Sequence, residues 1–246
     1  MFPIPADCGP MLRLQVVVAH PDDETFGCGS ILLHAARAGA CTAVTCATRG
    51  EAGEVTDRVT VPDGGLAELR SQELHEAARL LGVRRVDLLD FGDSGMEGQP
   101  GPGTLAGAPF DEVLEAVDRS VAAFRPDVLV TLDAGDGHRD HARMRDATLA
   151  VAGRRGVPAY LMALPRSFMR RWAEHMSTVD PGSPYLHLGE LGTPDEEITV
   201  VLDTRAHLAQ RWEAIRAHRS QTSPFEGLPD DLAGFVLTHD HLVAVR

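Results

Sequence analysis

The 246-residue sequence contains no lysine: all 23 of its basic residues are arginine. A Schiff-base lysine and a P-loop lysine are therefore excluded. Positive charge is scarce as well. Against 36 acidic residues it leaves a formal net charge of −13, the wrong balance for a chain that must neutralise nucleic-acid phosphates, so no nucleic-acid partner is expected. Cysteine is sparse, and Cys8, Cys28, Cys41 and Cys46 form no C-x-x-C pair, which argues against a thiolate zinc cluster. Cys41 and Cys46 lie in an apolar run and read as small buried hydrophobes. The N-terminus lacks a basic region followed by an apolar stretch, so no secretory signal is expected, and free thiols then point to a reducing cytoplasm. No run approaches about 18 consecutive apolar residues, so no membrane span is expected.

What is present is an ordinary core-forming composition, 43% hydrophobic and 24% charged. The length suits one α/β domain over residues 1–246, with a core at 12–165 and a less regular part at 166–246 completing it. Strands are expected at Leu12–Ala19, Cys41–Ala47, Val86–Leu89, Val128–Leu132, Tyr160–Leu164 and Ile198–Leu202. The first is continuously apolar, as in a strand covered on both faces. Helices are expected at Phe26–Ala38, Leu66–Leu81, Phe110–Phe124, from about His141 to Arg155, and at Thr204–Ser220, the last carrying His218. Gly39 and Gly82 close the first two of these. Asp90–Pro109 is a long loop with six glycines and three prolines, and Pro165–Pro194 reads as irregular around a short helix. Phe235–Val245 is short and apolar with a polar break. The βαβα alternation predicts a Rossmann-like, three-layer α/β/α fold with a mostly parallel sheet.

Open parallel sheets bind ligands beyond the carboxyl ends of their strands. Three such ends carry polar clusters here: His20 to Glu24, Thr48 to Glu51, and Asp133 to His141. Imidazoles and carboxylates emerging from a buried strand cost desolvation energy unless paired, and a divalent metal pairs with both. The alternative for the first cluster is a polar turn capping the next helix. Gly27-x-Gly29 lacks the third glycine of a dinucleotide-binding turn and is preceded by three acids. A catalytic zinc keeps three protein ligands and one open position, and His20 and His141 are the natural imidazole donors. Asp22 and Asp23 are adjacent and must diverge, so one can bind metal while the other accepts a proton from an activated water. His138 is either a further ligand or a donor to an oxyanion and leaving amine. Asp140 can hold one imidazole in the required tautomer.

His20-Pro21-Asp22-Asp23-Glu24 followed by Gly27-x-Gly29, together with Gly137-His138-x-Asp140-His141, resembles the LmbE/PIG-L family of zinc-dependent N-acetylglucosaminyl deacetylases. Thr48-Arg49-Gly50-Glu51, Arg70-x-x-Glu73-Leu74, Asp93-Ser94-Gly95-Met96 and His218-x-Ser220-Gln221 extend the resemblance. It implies His20, Asp23 and His141 as zinc ligands and Asp22 as general base. His138 would polarise the acetyl carbonyl or protonate the leaving amine, and Asp140 would orient a histidine. Arg49, Asp93 and His218 would contact a small-molecule amino-sugar substrate. Zn2+ is the implied cofactor, with another divalent metal such as Fe2+ as the alternative; nothing bars a homo-oligomer. Two positions depart from the pattern. Arg139 stands where relatives commonly carry proline, and Asp136 stands where mycothiol-pathway members carry a tyrosine that assists the transition state. Other amides, such as a thiol conjugate or an acylated antibiotic sugar, are the alternative substrates. A non-catalytic metal- or sugar-binding relative and a two-metal phosphoesterase are the alternative classes.

Overall fold

The computed structural model describes residues 11–245; Cys8 and most of the stretch inspected for a secretory signal lie outside them. The apolar runs form one seven-stranded sheet. Its strands are β1 (Arg13–Val18), β2 (Cys41–Cys46), β3 (Arg85–Leu88), β4 (Val128–Leu132), β5 (Ala159–Ala163), β6 (Val200–Asp203) and β7 (His239–Val245), in the order β3-β2-β1-β4-β5-β7-β6. Neighbours from β3 to β5 are parallel, whereas β7 runs antiparallel to both β5 and β6. The helices are α1 (Asp23–Phe26), α2 (Gly29–Arg37), α3 (Gly65–Leu80), α4 (Phe110–Phe124), α5 (Arg139–Arg155), α6 (Arg166–Val179), α7 (Leu208–Ala217) and α8 (Asp230–Thr238).

Strand β1 shows how one segment feeds both faces of the sheet. Leu14, Val16 and Val18 pack with Ile31 and Leu32 of α2, Leu74 and Ala77 of α3, and Ala214 of α7. Val17 and the following Ala19 point the other way, into Val113 and Val117 of α4 and Met144 and Val151 of α5. Period-2 alternation between two buried faces is why this strand reads as an unbroken apolar run. Each fully buried aliphatic side chain contributes roughly 1.5–3 kcal/mol. The sheet order reverses between β1 and β4, so the chain leaves these adjacent strands in opposite directions and opens a crevice at their carboxyl ends. That crevice receives His20–Asp23 from β1 and Asp133–His141 from β4.

The α4 and β4 boundaries match the sequence pattern, and most others differ from it by one or two residues. Three segments need correction. Residues 165–194, expected to be mostly irregular, hold the 14-residue α6. Phe168, Met169 and Trp172 do keep helical spacing there, but only Phe168 and Met169 are buried, so the apolar stripe is narrow. The helix expected to carry His218 ends at Ala217, after a separate turn of 3-10 helix at Arg205–His207; His218 caps it with non-helical backbone, φ −80° and ψ 63°. The C-terminal apolar stretch is divided between α8 and β7.

A buried arginine joins the C-terminal third to the crevice. Arg211 on α7 is 2% exposed; it donates to the Phe26 carbonyl at 2.6 Å, Ser30 Oγ at 2.8 Å and the Val236 carbonyl at 3.1 Å. Asp240 on β7 lies 3.8 Å away as its counter-charge, and burial pushes that carboxyl up to about 6. Removing one partner strands the other without water. Arg211→Leu is therefore expected to lower unfolding free energy by about 3–5 kcal/mol. Adding Asp240→Asn should recover about 1 kcal/mol or more, because the stranded charge is gone. Urea denaturation of the single and double variants measures both; a single variant as stable as the parent would contradict the assignment.

Candidate metal centre

At the end of β1 the chain turns so sharply that two adjacent aspartates separate. Asp22 adopts φ 128° and ψ −31°, a left-handed region that non-glycine residues occupy only when the surroundings hold them. Asp22 occupies the N-cap position of α1, yet its side chain makes no capping bond. The helix-cap alternative for this cluster therefore fails for Asp22. Its carboxylate accepts instead from Arg70 Nη2 at 2.9 Å. Asp23 turns the other way. Its Oδ2 accepts the backbone N–H of Ala19 at 3.2 Å and of His20 at 2.8 Å, while Oδ1 faces His141 Nε2 at 3.2 Å.

The tautomers of the two flanking histidines follow from carboxylates on their outer edges. His141 donates from Nδ1 to Asp136 Oδ2 at 2.6 Å, and His20 donates from Nε2 to Asp140 Oδ2 at 3.2 Å. A carboxylate accepts only, so the inward atoms, His141 Nε2 and His20 Nδ1, are the ones free to act as ligands. His20 Nδ1 stands 3.6 Å from Asp23 Oδ2. His141 Nε2 is buried and has no hydrogen bond of good geometry; Asp23 Oδ1 faces it at 3.2 Å, and a cation between the two would replace the proton they otherwise share. Metal-ligating atoms of His20, His138 and His141 lie within 4.8 Å of one another, as do those of His20, Asp93 and Asp140. This donor set, imidazole nitrogen plus carboxylate oxygen with two carboxylate-oriented histidines, fits a divalent metal ion. The second group of three lies around His20 Nε2, where Asp93 Oδ1 is at 3.5 Å beside Asp140.

Electrostatics separate the roles further. Burial opposes charge on Asp23, but His141 and His20 hold its carboxyl well below the usual range. Burial pushes the Asp22 carboxyl up to about 6 against the pull of Arg70. Burial also opposes the charged form of His141, yet Asp23 and Asp136 push it up to about 10. His138 goes the opposite way: burial, with His20 and His141 close by, pushes it down to about 4. Its ring stacks on His141 with centroids 4.7 Å apart, and its Nδ1 accepts the Asp140 backbone N–H at 3.2 Å as the N-cap of α5. With Nδ1 an acceptor, neutral His138 carries its proton on Nε2 and presents a donor. A ligand role would need that nitrogen's lone pair.

The residues expected as substrate contacts separate. Asp93 sits against His20 and accepts the Gly95 N–H at 2.9 Å through the same oxygen, Oδ1. Arg49 is part-exposed and pairs with Asp90 at 3.1 Å, outside the histidine cluster. His218 is a correction: its side chain is 0% exposed, with Nε2 2.7 Å from Glu24 Oε1, so it has no surface to offer a substrate. Asp140 serves His20, which is distant in sequence, and the neighbouring His141 is served by Asp136. Sequence reasoning missed Asp136, Arg70 and Glu24 as parts of this site. Arg70 had a signal: with Glu73 it falls among Leu69, Leu74 and Ala77 on the buried face of α3, where a charge demands a partner. Tyr185 is another, from the segment read as irregular. Burial, with Asp136 and Asp23 adding to it, pushes its phenol up to about 12.

Residues 15–152 match the family model PIG-L, GlcNAc-PI de-N-acetylase. The chain belongs to the PIG-L family. Among its relatives is a 1D-myo-inositol 2-acetamido-2-deoxy-alpha-D-glucopyranoside deacetylase 2 from Saccharopolyspora erythraea, 36% identical, with the match covering 87% of this chain and 85% of that protein. A deacetylase of the same name from Kineococcus radiotolerans is 35% identical over 86% of this chain and 69% of its own length. In fold, the chain is similar to the A40926 pseudoaglycone deacetylase Dbv21, with TM-score 0.66 and 18% identity over 95% of this chain and 97% of that one. It is also similar in fold to a 4-carboxy-2-hydroxymuconate hydratase, GalB from Pseudomonas putida KT2440, with TM-score 0.62 and 15% identity over 96% of this chain and 97% of that one.

Both departures from the PIG-L pattern acquire contacts. Asp136, in the place expected for tyrosine, is the carboxylate behind His141. Arg139, in the place expected for proline, reaches back to the 90–109 loop, donating to the carbonyls of Met96 and Gly98. Carboxylates behind metal-ligating histidines set ring orientation and basicity. Asp136→Ala is therefore expected to weaken Zn2+ affinity by about 10–100-fold, with Asp136→Asn, which keeps an acceptor, losing less. Competition against a chromophoric chelator measures both, and parental affinity in Asp136→Ala would remove Asp136 from the site.

Proposed function

We infer that this protein is a hydrolase that removes the N-acetyl group from an N-acetylglucosamine-type sugar or conjugate. The observation that carries the reading is the division of labour at Asp22 and Asp23. One carboxylate is committed to His20 and His141, while its neighbour is held apart by Arg70 and is spent on neither capping nor the imidazoles. A closed structural metal site has no use for the second. The substrate in the relatives' names, an α-glucosaminide of inositol bearing an N-acetyl group, supplies the class of amide.

His20 Nδ1, Asp23 and His141 Nε2 would hold the ion, taken as Zn2+. When bound, such an ion supplies Lewis acidity, polarising the amide carbonyl and acidifying water. Asp22 acts as general base on the attacking water, and a carboxyl raised to about 6 is well placed to take a proton and give it up again near neutral pH. As the carbonyl carbon becomes tetrahedral, its oxygen gains negative charge. His138 Nε2–H donates to that oxygen; neutral and fixed by its Nδ1 contact, it acts as a hydrogen-bond donor without first losing a proton. The C–N bond then breaks, the proton held by Asp22 passes to the nitrogen, and acetate and a free amine leave. Asp140 orients His20 and Asp136 orients His141. Arg49, part-exposed next to the 90–109 loop, is the candidate for outer sugar hydroxyls.

Two substitutions at neighbouring positions separate base from ligand. Asp22→Asn should keep stoichiometric zinc and lose about 10²–10⁴-fold in kcat. Asp23→Ala should lose the metal, with activity that added Zn2+ does not restore at concentrations that reactivate chelator-treated parent enzyme. Acetate release from N-acetylglucosaminides and metal analysis are the readouts. Full turnover by Asp22→Asn would defeat the assignment, and two ions per chain would favour a two-metal phosphoesterase.

A further inference from the structure

Asp22 is held by more than Arg70, and the additional contacts use motifs that the reaction itself leaves unexplained. The backbone at Asp22, with φ 128°, is strained and persists only if its surroundings over-determine it. Its N–H donates to Glu24 Oε2 at 2.9 Å. Glu24 is 0% exposed, and its other oxygen, Oε1, accepts from Thr25 Oγ1 at 2.5 Å and from His218 Nε2 at 2.7 Å. His218 comes from the end of α7, far along the chain, and Ser220 just beyond it is gripped by Glu73, whose carboxylate accepts from the Ser220 N–H at 3.0 Å and Oγ–H at 2.6 Å. Glu73 lies one turn of α3 from Arg70. Arg70, 3% exposed, donates to the Pro21 carbonyl at 2.6 Å, to Asp22 Oδ2 at 2.9 Å and to the Gly50 carbonyl at 2.7 Å.

We propose that His218 and Glu24 are positioning residues that act through the Asp22 peptide N–H, completing with Arg70 a two-sided clamp that aims the Asp22 carboxylate at the attacking water. Arg70 holds the side chain and the preceding carbonyl, and Glu24 holds the peptide nitrogen. His218 Nε2 donates, with Thr25, to the other oxygen and so fixes the orientation of a carboxylate that has no contact with water. One helix, α3, anchors both halves, through Arg70 directly and through Glu73 and Ser220 to His218. The pairs Arg70-x-x-Glu73 and His218-x-Ser220 thus belong to one device. It lies behind the catalytic crevice and touches no substrate.

The proposal rests on Asp22 being the general base, so the test includes Asp22→Asn alongside His218→Leu and His218→Gln in the zinc-loaded enzyme. A misaimed base lowers the chemical step without altering how substrate binds. His218→Leu is expected to lower kcat by about 10²-fold with KM and zinc content unchanged. His218→Gln, which keeps an N–H donor toward Glu24, should recover most of that loss. Glu24→Gln, nearly isosteric, carries the same test if His218→Leu fails to fold: kcat should fall with zinc retained. Parental kcat in His218→Leu, or in Glu24→Gln where His218→Leu does not fold, overturns the clamp. So does an equal loss in the Leu and Gln variants that tracks the folded fraction. An inactive Asp22→Asn with fully active clamp variants rejects the clamp alone, whereas a fully active Asp22→Asn rejects the base on which it rests.

Discussion

The site depends on the cost of keeping charge out of water at the carboxyl ends of β1 and β4. Asp23, between His20 and His141, is the centre of that problem. An unpaired buried carboxylate would be worth several kcal/mol of instability, so the residues around it are arranged as successive answers to the same requirement. The backbone N–H groups of Ala19 and His20 satisfy one oxygen and the His141 imidazole faces the other. Each imidazole then needs a partner on its far side, which Asp140 and Asp136 provide. Asp140 in turn accepts the Ser94 N–H at 3.0 Å, which ties the long 90–109 loop to the same network. Two buried atoms of this network are left without a hydrogen bond, Asp140 Oδ1 and His141 Nε2, and the second faces Asp23 where a cation would complete the arrangement.

Strain at Asp22 is the second half of that arrangement. Two consecutive aspartates diverge on any backbone, but regular backbone would not by itself fix where the first one points. The left-handed turn at Asp22 fixes it, with that carboxylate on Arg70 and its neighbour among the histidines. Holding this turn takes Arg70, Glu24 and His218, drawn from α3, α1 and the end of α7. Residues far apart in the chain are thereby devoted to one peptide unit. The C-terminal third, which carries no ligand of its own, is needed for the geometry of the first.

Much of this was legible in the sequence because burial on two faces leaves a strong mark. Strand β1 and helix α4 are read directly from continuous and helical apolar spacing, and their carboxyl-end clusters from the abrupt change to His and Asp. The parts that escaped share a physical cause. Helix α6 is amphipathic but largely polar, with only two buried residues, so its composition reads as loop despite its helical spacing. His218 looks like a substrate ligand in sequence because a histidine in a polar motif resembles a reactive one, and its complete burial is a tertiary fact. Asp136 was visible only as a departure from a family pattern. Its partner, His141, is five residues away and on the adjoining helix, and nothing local says that their side chains meet at 2.6 Å. Arg70 also went unread as part of the site, although it and Glu73 carried a signal, since charges on the apolar face of a helix demand buried partners.

The fold alone does not select amide hydrolysis, because the same sheet architecture is shared with the hydratase GalB. What distinguishes the chemistry is the protonation state that each environment imposes. Burial leaves Asp22 as a carboxyl near 6, able both to accept and to return a proton. Burial, with His20 and His141 close by, favours the neutral form of His138, and its Nδ1 contact leaves the proton on Nε2. A base that can re-donate and a donor that stays protonated are the two functions an amide needs once its carbonyl is polarised: one moves the proton from water to nitrogen, the other bears the transient charge on oxygen. In the proposed mechanism Asp136 supports His141 where mycothiol-pathway members are expected to offer a phenol, and His138 would carry more of the oxyanion contact. The low value imposed on that histidine suits the task, since a ring that stays neutral and keeps its Nε2 proton donates throughout the reaction.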